Sequence, residues 1–188
     1  MPASTYRILG IDPGTNLLGY AVIEINDKNI HLIDAGVVQM SRLPSHKLKL
    51  KRIFNRLQEI ISRHHPREMA VEAPFYGKNV QSMLKLGRAQ GVAIAAGMTL
   101  GVDITEYSPK KIKQAITGNG NATKEQVAAM LQSMLKGKPE LESLDASDAL
   151  ATAVCHYFQS QNPVGNQKRY GDWSSFLKEN PDRINRDS

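Results

Sequence analysis

The residues that decide the fold run from Arg7 to Glu24, R-I-L-G-I-D-P-G-T-N-L-L-G-Y-A-V-I-E. An apolar run of Ile8, Leu9 and Ile11 stops on one acid, Asp12, with Pro13 and Gly14 directly behind it. A second run, rich in β-formers, resumes at Leu17 and continues to Ile25. That pattern is strand, tight turn, strand. Pro13 presets φ for a turn, and Gly14 is free to adopt φ > 0. The turn holds a carboxylate at the end of a buried strand, where a charge is costly unless it is paired or bound to a metal. On this stretch alone, Asp12 capping the turn with its own side chain is an equally open reading.

Working outward, Asn29 to Met40 forms a third apolar run with an irregularity expected at Gly36, and Asn26-Asp27-Lys28-Asn29 supplies a hairpin turn before it. Three strands joined by short turns make an antiparallel meander. Leu50, Ile53, Phe54, Leu57, Ile60 and Ile61 then recur at three- and four-residue steps, the stripe of a helix over 44–65 that Pro66 stops. The run 67–73 is a strand that ends on Glu72 with Pro74 close behind, a second strand-end acid followed by proline. Parallel neighbouring strands would set Asp12 and Glu72 at one edge, where open α/β sheets carry their sites. Phe75 and Tyr76 follow in a loop, either packed beneath it or offered for stacking on an unstacked base.

A helix is expected over 80–100, ended by Gly101. Its Gly87, Gly91 and Ala95 recur every four residues, a smooth face that suits tight packing on a sheet or, less often, a dimer seam; the helix is expected near the dimer contact. A fifth strand covers 102–107, and Ser108-Pro109 starts a helix carrying Lys113. Residues 118–121, G-N-G-N, read as a flexible loop. Thr123 with Gln126 forms a capping box that places Lys124 in a first helical turn. A cation there opposes the helix dipole unless an anion meets it, and simple solvation of Lys124 is an equally open reading. In the helix over 140–159, Ser143 is a candidate cap. Asp145 and Asp148 are three apart on one face, among Ala, Leu and Val, and a bound cation would account for two acids there. Cys155 and His156 read as packing and rim residues. Periodicity fades after Gln161. A single domain is therefore expected over 1–160, followed by a tail, 161–188, that is partly docked around Trp173 and Phe176 or disordered.

The 188-residue length suits one domain with a full core. A formal charge of +6 favours an anionic partner, nucleic acid before membrane. No apolar run reaches membrane-spanning length, the N-terminus has no secretory h-region, and the single cysteine cannot form an internal disulfide. A cytoplasmic protein with no membrane partner is expected.

With G-I-D-P-G-T at 10–15, V-E-A-P-F at 71–75, K-N-V-Q-S-M-L-K-L-G-R-A-Q-G-V-A-I at 78–94 and D-A-S-D-A-L-A at 145–151, in that order, the chain resembles the RuvC family of crossover-junction endodeoxyribonucleases. The likeness covers about residues 7 to 160. It implies a ribonuclease H-like α/β fold: a mixed five-stranded sheet, an antiparallel meander followed by parallel strands, with helices on both faces. It implies four catalytic, metal-binding acids at Asp12, Glu72, Asp145 and Asp148, and DNA contacts by Phe75, Lys113 and Lys124. It implies two Mg²⁺ ions per subunit, with Mn²⁺ as a substitute, and hydrolysis of a phosphodiester held between them. The implied substrate is a four-way (Holliday) DNA junction nicked symmetrically by a homodimer, and the implied partner is the RuvA–RuvB branch-migration complex. Three other readings compete: an actin-like ATPase, which needs two such domains; a ribonuclease H-like nuclease acting on RNA–DNA hybrids or other structured DNA; and a non-catalytic binder of DNA structure.

Overall fold

The computed structural model describes residues 5–74, 79–135 and 144–161. Five strands, β1 Tyr6–Asp12, β2 Leu17–Asn26, β3 Asn29–Gln39, β4 Glu68–Glu72 and β5 Asp103–Tyr107, form one sheet in the order β3-β2-β1-β4-β5. The pairs β1–β2 and β2–β3 are antiparallel, whereas β1–β4 and β4–β5 are parallel. This is the expected meander followed by parallel strands. The helices are α1 His46–His64, α2 Val80–Met98, α3 Pro109–Thr117, α4 Lys124–Met134 and α5 Leu144–Gln161.

Alternation along each strand divides the core in two. Ile8, Ala21, Ile23 and Ala70 face α3, α4 and α5, in a layer that includes Ile112, Val127, Leu131, Leu150 and Val154. Leu9, Ile11, Leu18, Val22, Met69 and Val71 face α1 and α2, in a layer with Ile53, Leu57, Ala89 and Ala93. By the same alternation, Gly10 and Asp12 share the α5 side with Ile8, and Glu68 and Glu72 share it with Ala70.

The helix starts follow the sequence signals. Ser45 accepts from Leu48 N, Ser108 accepts from Lys111 N with Pro109 inside the first turn, and the Thr123–Gln126 capping box is fully formed. The end of α1 is a left-handed His65 at φ 48°, directly before Pro66. The turn between β2 and β3 uses two residues at positive φ, Asp27 and Lys28, the geometry that matches a hairpin's twist.

Three expectations are corrected, and one open alternative is decided. The irregularity in β3 lies at Ile33, not Gly36: Val22 pairs with Asp34 and Ile23 with Leu32, so Ile33 is the extra residue. Gly36 is in register opposite Tyr20, and a Cβ there would lie 3.1 Å from the Tyr20 hydroxyl. The cap of α2 is Thr99, and Gly101 takes its positive φ two residues later. Gly14 has no positive φ; its hydrogen is needed because a Cβ would sit 1.9 Å from the Leu17 carbonyl oxygen. Last, Gly87 and Gly91 do not pack on the sheet. A Cβ on either meets nothing within 4 Å, and the buried small residues of α2 are Ala89, Ala93, Ala96 and Gly97.

Candidate active site

Asp12 is the last residue of β1, and Gly19 is its partner across the antiparallel ladder. The last parallel pair between β1 and β4 is Ile11 with Val71, so Glu72 follows at the same edge as Asp12. The start of α5 lies flush on this edge because two strand residues lack side chains. A Cβ on Gly10 would lie 2.1 Å from the Ala149 carbonyl oxygen, and one on Gly19 would lie 2.1 Å from that of Asp145. Both are backbone contacts, so any larger residue would lift the helix. Asp145 and Asp148, in the first turns of α5, are thereby lowered toward Asp12 and Glu72. The sequence reading missed Gly10 and Gly19. Their signal was glycine inside runs of β-formers, which marks a close backbone approach.

The lysines reach the acids from α3 and α4. Lys113 and Lys124 line one cavity together with Glu72 and Asp148. The Lys124 ammonium donates to Asp148 Oδ2. Residues 118–121, expected to be flexible, form a hydrogen-bonded loop. Gly120 N donates to Gln114 Oε1 at 3.0 Å, and Asn121 N to Asn119 Oδ1 at 3.0 Å. This loop and the capping box fix where α4 begins, and hence where Lys124 projects. The cation at the start of α4 finds its anion in Asp148. A second cavity, lined by Asp12, Pro13, Glu72, Leu86 and Gln90 among others, opens on the α2 side of the same two acids. Phe75 lies outside the described residues, as do Ser143 and the tail after Gln161.

Charge crowding is written into the acids. Burial first, then repulsion from Asp148, pushes the Asp12 carboxyl up to about 7, with Asp145 adding to the rise and Lys124 opposing it. Burial, then Asp12 and Asp148, pushes Glu72 up to about 8, against the pull of Lys124 and Lys113. The hydrogen bond to Asp148 holds Lys124 above its usual range. Two half-buried carboxyls that resist ionisation, beside two further acids, form a site that gains from a cation. The donor set is carboxylate oxygen alone, which suits a hard divalent ion. Among the described residues no three His, Cys, Asp or Glu side chains stand close enough to enclose one ion. The four acids are therefore neighbours at one edge, not a closed coordination shell, and Lys124 occupies one oxygen of Asp148.

Comparison with known proteins follows the same outline. Residues 8–156 match the family model described as crossover junction endodeoxyribonuclease RuvC. The chain is 55% identical over 177 residues to the protein of that name from Cytophaga hutchinsonii, covering 94% of this chain and 87% of the relative. It is 56% identical over 178 residues to the one from Christiangramia forsetii, covering 94% and 92%. Among solved structures, T. thermophilus RuvC in complex with Holliday junction substrate superposes with a TM-score of 0.76 at 33% identity, covering 85% of this chain and 97% of that one.

Proposed function

This chain belongs to the crossover junction endodeoxyribonuclease RuvC family, and we infer that it resolves four-way DNA junctions by metal-dependent, symmetric nicking of two opposed strands. The observation that carries the site assignment is the gathering of Asp12, Glu72, Asp145 and Asp148 at one edge of one sheet face, with Asp12 and Glu72 held toward their neutral forms. In this reading Asp12, Glu72, Asp145 and Asp148 would together hold a pair of Mg²⁺ ions, with Asp12 the most central of the four; Mn²⁺ has the same preference for oxygen ligands. Metal ions held there would offer Lewis acidity toward a phosphodiester and would lower the pKa of a coordinated water. The chain's own residues do the rest. The carboxylates fix where the ions sit. Lys124 exchanges its bond to Asp148 for a phosphate oxygen, Lys113 meets the phosphate from the wall of the same cavity, and both offset charge that develops on it. Phe75, next to the site in sequence, is assigned to stacking on an unpaired base at the crossover.

Symmetric nicking calls for two copies, and α2 offers a surface for the second. Val80, Leu84, Gly87, Gly91, Ala95 and Met98 are all exposed and fall on one stripe of the helix, with Val80 at 68% and Met98 at 66% exposure. We assign this stripe to the homodimer contact. The reading carries the RuvA–RuvB complex as the partner that delivers junctions, and places the work on cytoplasmic DNA. No described helix is long and apolar enough to cross a membrane.

The direct test incubates a synthetic four-way junction with the protein and Mg²⁺ and reads the products on a denaturing gel. Paired nicks at symmetric positions are expected. Asp145→Asn is expected to slow them by at least about a hundredfold. A junction left intact while linear duplex is cut would contradict the reading.

A further inference from the structure

β4 and α5 lie against each other like two rails, and each carries two polar groups at nearly the same spacing. On β4, Glu68 and Glu72 are four residues apart on one face, about 13 Å at the rise of a strand. On α5, Asp148 and His156 are eight residues apart, about 12 Å at the rise of a helix. At one end Glu72 and Asp148 line the same cavity. At the other, His156 Nε2 stands 2.8 Å from Glu68 Oε2. The helix thus runs antiparallel to the strand, and Glu72 and Asp148, two of the four acids of the site, form one rung while His156 and Glu68 form the other.

The second rung is tied twice. His156 Nδ1 is 2.9 Å from the Tyr107 hydroxyl on β5, and Tyr107 is the register partner of Glu72. His156 is 8% exposed and Tyr107 is 6% exposed, so the bond between them is shielded from water, and the bond to Glu68 is partly so. A carboxylate only accepts. With Glu68 ionised, Nε2 therefore donates to it, and Nδ1 of the neutral ring accepts from the tyrosine. Arg67 Nε, 3.2 Å from Glu68 Oε1, balances the carboxylate from the exposed side. None of these groups faces the cavity of the acids, and the reaction as derived above does not use them.

Apolar packing sets the height of α5 over the sheet, through Gly10, Gly19 and Ala153. Two directional hydrogen bonds add a constraint along the strand to the one that packing supplies. Oxygen–metal distances tolerate about 0.2 Å, and one residue of helix rise is about 1.5 Å. A slip of a third of a residue would spoil the site.

We propose that His156 is a positioning residue: held by Glu68 and Tyr107, it sets the axial register of α5 against β4 and so brings Asp145 and Asp148 to Asp12 and Glu72. The proposal rests on the reading of those four acids as joint metal ligands. It is tested on the full chain without DNA, by calorimetric titration with Mn²⁺ well below the melting temperature. His156→Ala is expected to weaken Mn²⁺ binding about tenfold, the scale seen when groups that orient ligands are removed. Tyr107→Phe, which keeps the ring and loses one bond, should weaken it several-fold and serves if His156→Ala does not fold. His156→Gln, able to donate and accept, should recover part of the loss. The control is Val154→Ala, a fully buried apolar truncation on the same helix. It should lower the melting temperature and leave Mn²⁺ affinity unchanged. Wild-type affinity in His156→Ala or Tyr107→Phe, or an equal loss in Val154→Ala, overturns the proposal. A wild-type chain that takes up no Mn²⁺ overturns the metal-site reading, and this inference with it.

Discussion

On one face of the sheet, Gly10 and Gly19 lie beneath the backbone of α5, with no space for even a methyl group; on the other, Gly87 and Gly91 of α2 look out onto nothing. The same residue type thus has opposite meanings on the two sides. Under α5 it lets a helix that carries two acids settle onto two strands, one of which ends in a third. Along α2 it leaves a smooth, exposed apolar stripe over a conventional core of Ala, Leu, Ile and Met. The α5 face brings charge together, while the α2 face keeps its charges out of the core and leaves an apolar surface free. The proposed catalytic edge and the proposed association surface thus lie on opposite sides of one five-stranded sheet.

A single methyl group put on each face sharpens the contrast most. Gly19→Ala drives Cβ into the Asp145 carbonyl oxygen, and relief requires the helix to lift. A loss of about 3 kcal/mol is expected, the upper part of the overpacking range. That is a fall of roughly 6–12 °C in melting temperature for a chain of this size, with junction cleavage lost alongside. Thermal melting and the nicking assay check both, and a variant as stable and active as wild type would break the account of the α5 face.

A smaller effect comes from pH. Asp12 and Glu72 are raised to about 7 and about 8, so folding without metal favours their protonated forms. The sign follows from linkage: this contribution is fully present below about pH 4, where unfolded carboxyls also hold their protons, and is lost as pH rises through 7 to 8. In EDTA the melting temperature should fall by about 5 °C or more between pH 5 and pH 8.5, once partial solvent access has reduced the effect. Asp12→Asn should flatten the fall. Mg²⁺ should raise the melting temperature more at pH 8.5 than at pH 5. A metal-free melting temperature that does not change with pH would contradict the crowding described here.

The smallest effect is expected on α2. Gly91→Ala meets no neighbour and replaces glycine inside a helix, so it should stabilise the subunit by up to about 1 kcal/mol. If the stripe is the seam between subunits, the added methyl groups of a Gly87→Ala, Gly91→Ala pair should also weaken self-association in sedimentation. Destabilisation by Gly91→Ala under dissociating conditions would erase the difference between the two faces.

Much of the acid-lined edge was legible in the sequence as a placement of residues, because its signals are local. An acid at the end of an apolar run, with proline one residue on for Asp12 and two residues on for Glu72, marks the first two, and two acids three apart among alanines mark Asp145 and Asp148. The capping box and Ser-Pro start gave the positions of Lys124 and Lys113 for the same reason. What failed depended on partners distant in the chain. Every-fourth-residue spacing showed that Gly87, Gly91 and Ala95 share a face of α2 but not which way the face points. The β3 irregularity went to Gly36 because glycine permits a bulge, whereas the extra residue is the β-branched Ile33 and Gly36 makes room for the Tyr20 ring. Gly10 and Gly19 gave no local sign of the helix, more than 120 residues away, that needs them bare. His156 read only as a packing or rim residue, since its two partners lie on strands 49 and 88 residues back.

The central claim is that the carboxylates of β1, β4 and α5 together hold the ions that cut DNA. It is tested most directly by diffraction from crystals grown with Mn²⁺, recorded at a wavelength where manganese scatters anomalously. Anomalous peaks between Asp12, Glu72, Asp145 and Asp148, with the Lys124 ammonium moved off Asp148, are the predicted result. Manganese bound elsewhere, or an edge in which Lys124 keeps Asp148 at saturating metal, would contradict it.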